Sequence, residues 1–131
     1  MKRQTISSGT EYEAIAGYSR AVRLGNVVHV SGTTATDGAN TIIGIGDSAA
    51  QTDFIIRKIE RALNQAGAQL SDVVRTRIYL APGADWEAVA RAHGKYFGDI
   101  RPANTLLFIH ALVGDDYLVE MEAEAIIASA S

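Results

Sequence analysis

The sequence predicts an α+β protein, a single mixed β-sheet with two helices packed on one face. Three features predict it. Tyr117 to Ile127 alternates strictly between two sets of side chains, as a strand with two different faces must. Two other stretches repeat apolar residues every three or four positions, each behind an aspartate able to cap a helix. The segments run β-β-(β)-α-β-α-β-β with no internal repeat and no low-complexity linker, so one domain spanning 1–131 is expected.

Tyr18 to Leu24 reads as the first strand, Gly25-Asn26 as a turn and Val27 to Thr33 as the returning strand. Thr34 to Gly46 is glycine-rich and reads as a loop, with room for a short strand at Thr41–Ile43. Asp47 caps a helix running to about Ala66, whose stripe is Phe54 or Ile55, Ile59, Ala62 or Leu63 and Ala66. Gly67 suits the position just past its end, where a left-handed backbone costs glycine nothing. Val73 to Leu80 is a strand with Val74, Thr76, Ile78 and Leu80 on one side and Arg75, Arg77 and Tyr79 on the other. Pro82-Gly83 ends it. Asp85 caps a second helix, to about Phe97, with Trp86, Val89 or Ala90, His93 and Phe97 on its stripe. After Arg101-Pro102 come a nearly continuous apolar strand, Thr105 to Ala111, and the alternating strand Tyr117 to Ile127.

Two helices cover one face of a sheet, and the other face is mixed. Glu120, Glu122 and Glu124 share it with Leu118 and Ile126, and Arg75, Arg77 and Tyr79 lie on another strand. A second subunit covering that face makes an oligomer the expectation. Carboxylates two residues apart on a strand are ~7 Å apart and repel. A ladder of pairs with Arg75, Arg77 or Arg23 relieves Glu122 and Glu124, whereas a carboxylate in a partly desolvated pocket has a raised pKa and can position water or move a proton.

Composition narrows the function. A net charge of −3 lacks the basic excess that draws proteins to nucleic acid. The absence of cysteine removes disulfides, thiolate metal sites and thiol nucleophiles. No apolar run reaches ~18 residues, and Met-Lys-Arg-Gln-Thr is not followed by an apolar segment, so a cytoplasmic protein without a membrane partner is expected. Dinucleotide, phosphate-loop, zinc-protease and serine-elbow motifs are missing. Gly44-Ile45-Gly46-Asp47 is a weak anion-site candidate and more simply a helix entry. His29, His93 and His110 fall on different elements without metal-ligand spacing. His93 reads as a packed, hydrogen-bonded residue and His110 as a surface residue. Trp86 and Phe108 are candidates to line a site for a neutral or larger ligand and more simply read as core packing.

Several pieces, in order, resemble the YjgF/RidA family of enamine and imine deaminases, also called endoribonuclease L-PSP-like. They are Gly17-Tyr18-Ser19-Arg20-Ala21, Val28-His29-Val30-Ser31-Gly32, Ala50-Gln51, Ala66-Gly67, Asp72-Val73-Val74-Arg75-Thr76, Arg101-Pro102-Ala103-Asn104-Thr105 and Val119-Glu120-Met121-Glu122-Ala123. The resemblance covers nearly the whole chain. It implies a chorismate-mutase-like fold, a homotrimer with clefts between subunits, and hydrolysis of an enamine or imine such as 2-aminoacrylate to a carbonyl compound and ammonia. It implies no metal and no organic cofactor, with a small molecule as the partner. Tyr18, Ser31 and Glu120 match the family's pocket tyrosine, pocket serine and water-holding glutamate. Gly32, Asn104 and Thr105 fall in the same motifs and would bind substrate. Asn104 stands where the family normally has an arginine that grips the substrate carboxylate, which places the chain in a subgroup lacking that arginine. Arg20, two residues after Tyr18, has two readings of equal weight: on a regular strand it shares the face of Tyr18 and supplies the missing charge to bind substrate, or it forms a surface or interface salt bridge. The alternative is a trimer of the same family that binds a metabolite without turning it over. Ribonuclease activity, also linked to family members, fits poorly with an acidic chain lacking a basic, aromatic-interleaved stripe.

Overall fold

The computed structural model describes residues 1–128. The strands are β1 (Arg3–Ile6), β2 (Ala21–Leu24), β3 (Val27–Thr33), β4 (Val73–Leu80), β5 (Ala103–Phe108) and β6 (Val119–Ile126). The helices are α1 (Glu11–Ala16), α2 (Ser48–Gln65) and α3 (Trp86–Phe97), with one 3₁₀ turn at Leu70–Asp72. All six strands form one sheet in the order β1-β2-β3-β6-β4-β5. Neighbours are antiparallel except β4 and β5, which are parallel and joined through α3. The sheet is therefore mixed, as expected, and the last strand in sequence sits at its centre.

The long helices form where their caps are. The Asp47 carboxylate accepts the amide of Ala50 at 3.0 Å, and Asp85 accepts that of Ala88 at 3.1 Å. Asp47 thus fills the helix entry that Gly44-Ile45-Gly46 leads into. At the other end of α2 the Arg23 guanidinium donates to the Ala66 carbonyl at 2.7 Å, a cation on the negative end of the helix dipole. Ile55, Ile56, Ile59 and Leu63 of α2 are fully buried against Val28 and Val30 of β3 and Val119, Met121, Ala123 and Ala125 of β6. The alternation expected of β6 holds, although Tyr117 and Ile127 lie just beyond its ends.

Several expectations are corrected. β1 and α1 are additional elements, so three helices accompany the sheet. Tyr18 to Arg20 precede β2 rather than belonging to it. The Thr41–Ile43 strand is only a single bridge between Thr36 and Ile42. Val74 is 43% exposed, because the β4–β6 register shifts between Val73 and Arg75 and Val73 takes the buried place. Trp86 and Phe108 are 54% and 51% exposed, so neither packs in the core: Trp86 opens α3 at its solvent end and Phe108 closes an edge strand. His93, by contrast, is held as expected, by the Thr76 hydroxyl at 2.9 Å and against the Phe97 ring.

The sheet face away from α2 and α3 carries Val22, His29, Ser31, Arg75, Arg77, Tyr79, Glu120, Glu122 and Glu124. The carboxylate ladder is relieved by one cation. Arg77 reaches Glu122 at 3.2 Å and Glu124 at 2.7 Å, whereas Arg75 turns to the Thr105 hydroxyl and Arg23 to the end of α2. That hydrogen bond from Arg77 holds Glu124 below the usual carboxylate range, against the upward pull of burial.

Candidate functional site

A cavity of about 240 Å³ opens where α1, the β2–β3 end of the sheet, β6 and the segment before β6 meet. Tyr18, Arg20, Gly32, Lys58, Tyr117 and Glu120 contribute to its wall. Each is placed by a local feature. β3 bulges between Val30 and Thr33, where one extra residue faces β6. Gly32 lies in that bulge with the Glu120 carboxylate directly over its Cα. A Cβ there would collide with Glu120 Oε2, so glycine is required by close approach. Among the described residues no side-chain or backbone donor reaches that carboxylate. Burial pushes its pKa up, the nearby Arg20 pulls it back and Glu122 adds to the rise.

Arg20 is 3% exposed and ties the cavity together. Its Nη1 donates to the Gly32 carbonyl at 2.5 Å and the Thr33 hydroxyl at 3.0 Å, and its Nη2 to the Tyr18 hydroxyl at 3.3 Å. The guanidinium stands 5.5 Å from the centre of the Tyr18 ring. Tyr18 and Arg20 thus meet as expected, through a bend rather than a regular strand. Behind Arg20 lies Glu13, with its Oε2 3.7 Å from Nε. Glu13 is buried and accepts the hydroxyls of Ser7, Ser8 and Thr10 and the Ser8 amide. Burial alone would raise its carboxyl, but these donors outweigh it and hold it below its ordinary value. Arg20 is therefore largely committed to its own chain, which weakens it as a substitute for the family arginine.

The remaining expected site residues lie elsewhere. Ser31 donates to the Ser19 carbonyl at 2.7 Å and lines a separate cavity of about 230 Å³ with His29, Arg77 and Glu122. Asn104 and Thr105 are on β5, two strands away from Glu120 across the sheet. Thr105 accepts from Arg75 at 2.9 Å. Asn104 donates to the Thr76 hydroxyl at 3.0 Å, which in turn meets His93. Within one protomer neither reaches the cavity holding Tyr18 and Glu120.

Sequence reasoning missed Lys58, Glu13 and Tyr117. Lys58 projects from the buried side of α2, 7% exposed, and its Nζ donates to the Thr36 carbonyl at 2.8 Å. Its signal was present, a lysine four residues from both Phe54 and Ala62 on the apolar stripe. Glu13 also had one, the Thr10-x-x-Glu13 spacing of a helix start. Tyr117 bonds the Thr36 hydroxyl across 81 positions of sequence, which no local pattern announces.

The family model described as Endoribonuclease L-PSP matches residues 8–127. A crystal structure of Rv2704 from Mycobacterium tuberculosis, described as a member of the YjgF/YER057c/UK114 family, superposes with a TM-score of 0.87 at 47% identity, covering 96% of this chain and 100% of that one. The 3-aminoacrylate deaminase RutC of Acinetobacter baylyi is 35% identical over 111 residues, 85% of this chain and 87% of that protein. An uncharacterised protein of Streptomyces coelicolor is 38% identical over 120 residues, 92% of this chain and 89% of its own length.

Proposed function

The chain belongs to the endoribonuclease L-PSP family, that of YjgF and RidA, and from that premise we propose that it hydrolyses a reactive enamine or imine to a carbonyl compound and ammonia. The family includes a protein named as a deaminase of 3-aminoacrylate. The observation that carries the reading is Glu120, a half-buried carboxylate with a raised pKa and no donor of its own, facing a cavity beside the Tyr18 hydroxyl.

The chemistry asks little of the protein. An enamine protonated at carbon becomes an iminium, whose carbon is already electrophilic. Water held by Glu120 adds to that carbon while the carboxylate takes its proton. The carbinolamine then collapses: the Glu120 carboxylic acid passes its proton to nitrogen, the regenerated carboxylate takes the hydroxyl proton as the C=O bond forms, and the C–N bond breaks to release ammonia. Tyr18, oriented by Arg20, donates a hydrogen bond to the substrate. No metal or organic cofactor enters these steps.

The complete site in this reading is shared between subunits of a homotrimer. Asn104 and Thr105 are too far from Glu120 in their own protomer, and the face carrying Glu120 is uncovered. A neighbouring copy that covers this face brings a second β5 to the cavity, with Asn104 as a neutral anchor and Ser31 lining the adjoining seam. Asn104 already bonds within its own chain, which favours a second reading, a trimer that binds a metabolite without turnover.

Generating 2-aminoacrylate and 2-iminopropionate in situ and following their decay separates the two. Faster loss with protein than without supports the hydrolase. No acceleration, with thermal stabilisation by an uncharged metabolite, supports the binding protein. Asn104→Arg is the complementary variant: it should raise activity on 2-aminoacrylate by about tenfold or more by restoring an ionic contact to the carboxylate.

A further inference from the structure

A second cavity, of about 390 Å³, lies behind the first, and the two share only Arg20, Thr36 and Lys58. Its other polar wall residues include Ser7, Ser8, Asp37 and Arg61. Three cationic side chains thus meet one carboxylate. Lys58 and Arg61 stand three residues apart on α2, so they share a face of the helix. Asp37 makes no ion pair with them: its Oδ1 accepts the amides of Ala39 and Thr41, each at 2.9 Å, and its charge offsets theirs only in part. Among the described residues no carboxylate comes within 4 Å of Lys58 Nζ or of the Arg61 guanidinium. Lys58 uses one of its three donors, on Thr36. Arg20 is almost fully buried and its Nε faces the Glu13 carboxylate at 3.7 Å, an ion pair without a hydrogen bond, so Lys58 and Arg61 are the cations left without a carboxylate of their own.

We propose that this cavity is a binding site for a small oxyanion, a carboxylate or a phosphate group, held by Arg61 and Lys58, with the Arg20 guanidinium adding positive charge from the wall. The cations repel one another without a ligand. Burial brings the Lys58 ammonium down to about 8, Arg20 and Arg61 push the same way, and Glu13 and Asp37 oppose them. An anion seated among these groups reverses the balance. It supplies acceptors for the idle donors, and Lys58 takes up a proton as it binds wherever the pH is near or above 8. Affinity therefore falls as the pH rises past that point. The test of this site does not use turnover in the first cavity, so its failure and that of the proposed hydrolase are distinguishable.

Isotope-labelled full-length protein is titrated with inorganic phosphate and, separately, with malonate, ionic strength being kept constant with chloride. Amide resonances of Ser8, Asp37 and Gly38 should shift saturably, with a dissociation constant of about 1 mM or tighter. Arg61→Gln, at an exposed position, should weaken binding about tenfold and leave the unliganded unfolding midpoint in place. Response to phosphate alone or to malonate alone supports the site and names its source. Shifts that chloride reproduces, that never saturate or that survive Arg61→Gln overturn it.

Discussion

Glu120 and Lys58 are opposite charges placed under the same handicap, partial removal from water. The Glu120 carboxyl is raised in the folded protein, so between 4.5 and its folded value the native state holds more protons than the unfolded one. Stability then falls as pH rises through that window. Glu120→Gln should gain stability at neutral pH in urea unfolding while lowering turnover of 2-aminoacrylate about 100-fold or more. A loss of stability would show that the carboxylate is better solvated than its surroundings indicate. Lys58 is lowered from 10.5 to about 8. Between those values the unfolded chain holds the extra proton, so stability from this group rises with pH. Lys58→Met should stabilise by about 1–3 kcal/mol at pH 7, and the gain should shrink from pH 8 upward and vanish above 10.5. A gain independent of pH would mean that packing, not charge, is responsible. The sequence revealed Glu120 by its motif and its place in a carboxylate row. It revealed Arg20 too, but for the wrong reason, since a bend rather than a strand brings it to Tyr18.

At the scale of elements, α2 is the keel of the molecule, and its capping aspartate and apolar stripe made it readable. What α2 does through polar side chains was not readable. Gln51 is fully buried; its Nε2 donates to the Asp116 carbonyl at 2.9 Å and its Oε1 accepts the Leu118 amide at 2.8 Å. This one residue fastens the segment leading into β6 to the helix, 65 and 67 positions away. Gln51→Ala leaves two backbone groups without their partner and should cost about 2–3 kcal/mol in urea unfolding. Faster amide exchange confined to residues 112–118 would locate the loss. If stability is unchanged, water has replaced the side chain. β1 and α1 were missed because each is short and neither carries much apolar periodicity. β1 is held by pairing with β2 along four residues, and α1 by the Glu13 cluster.

For the whole molecule, the uncovered sheet face is the feature from which assembly was anticipated. Two helices on one side and a mixed polar and apolar set on the other were enough to foresee the uncovered face. The position of β6 between β3 and β4 was not foreseeable from local pattern, because it depends on contacts between the chain's two halves. The proposed trimer should sediment at three times the 14.0 kDa chain mass at micromolar concentration. Arg77→Glu, which sets a third acidic group against Glu122 and Glu124, should shift that mass toward one chain. A monomeric unaltered protein would dismiss the shared-site reading. The separation of Glu120 from Asn104 across two strand spacings has a genetic consequence. If each reaction centre borrows β5 from a neighbour, a chain crippled at Glu120 and another crippled on β5 are both dead when pure, yet blending them regenerates some intact centres. Two defective alleles in one cell would then complement each other within a single gene product.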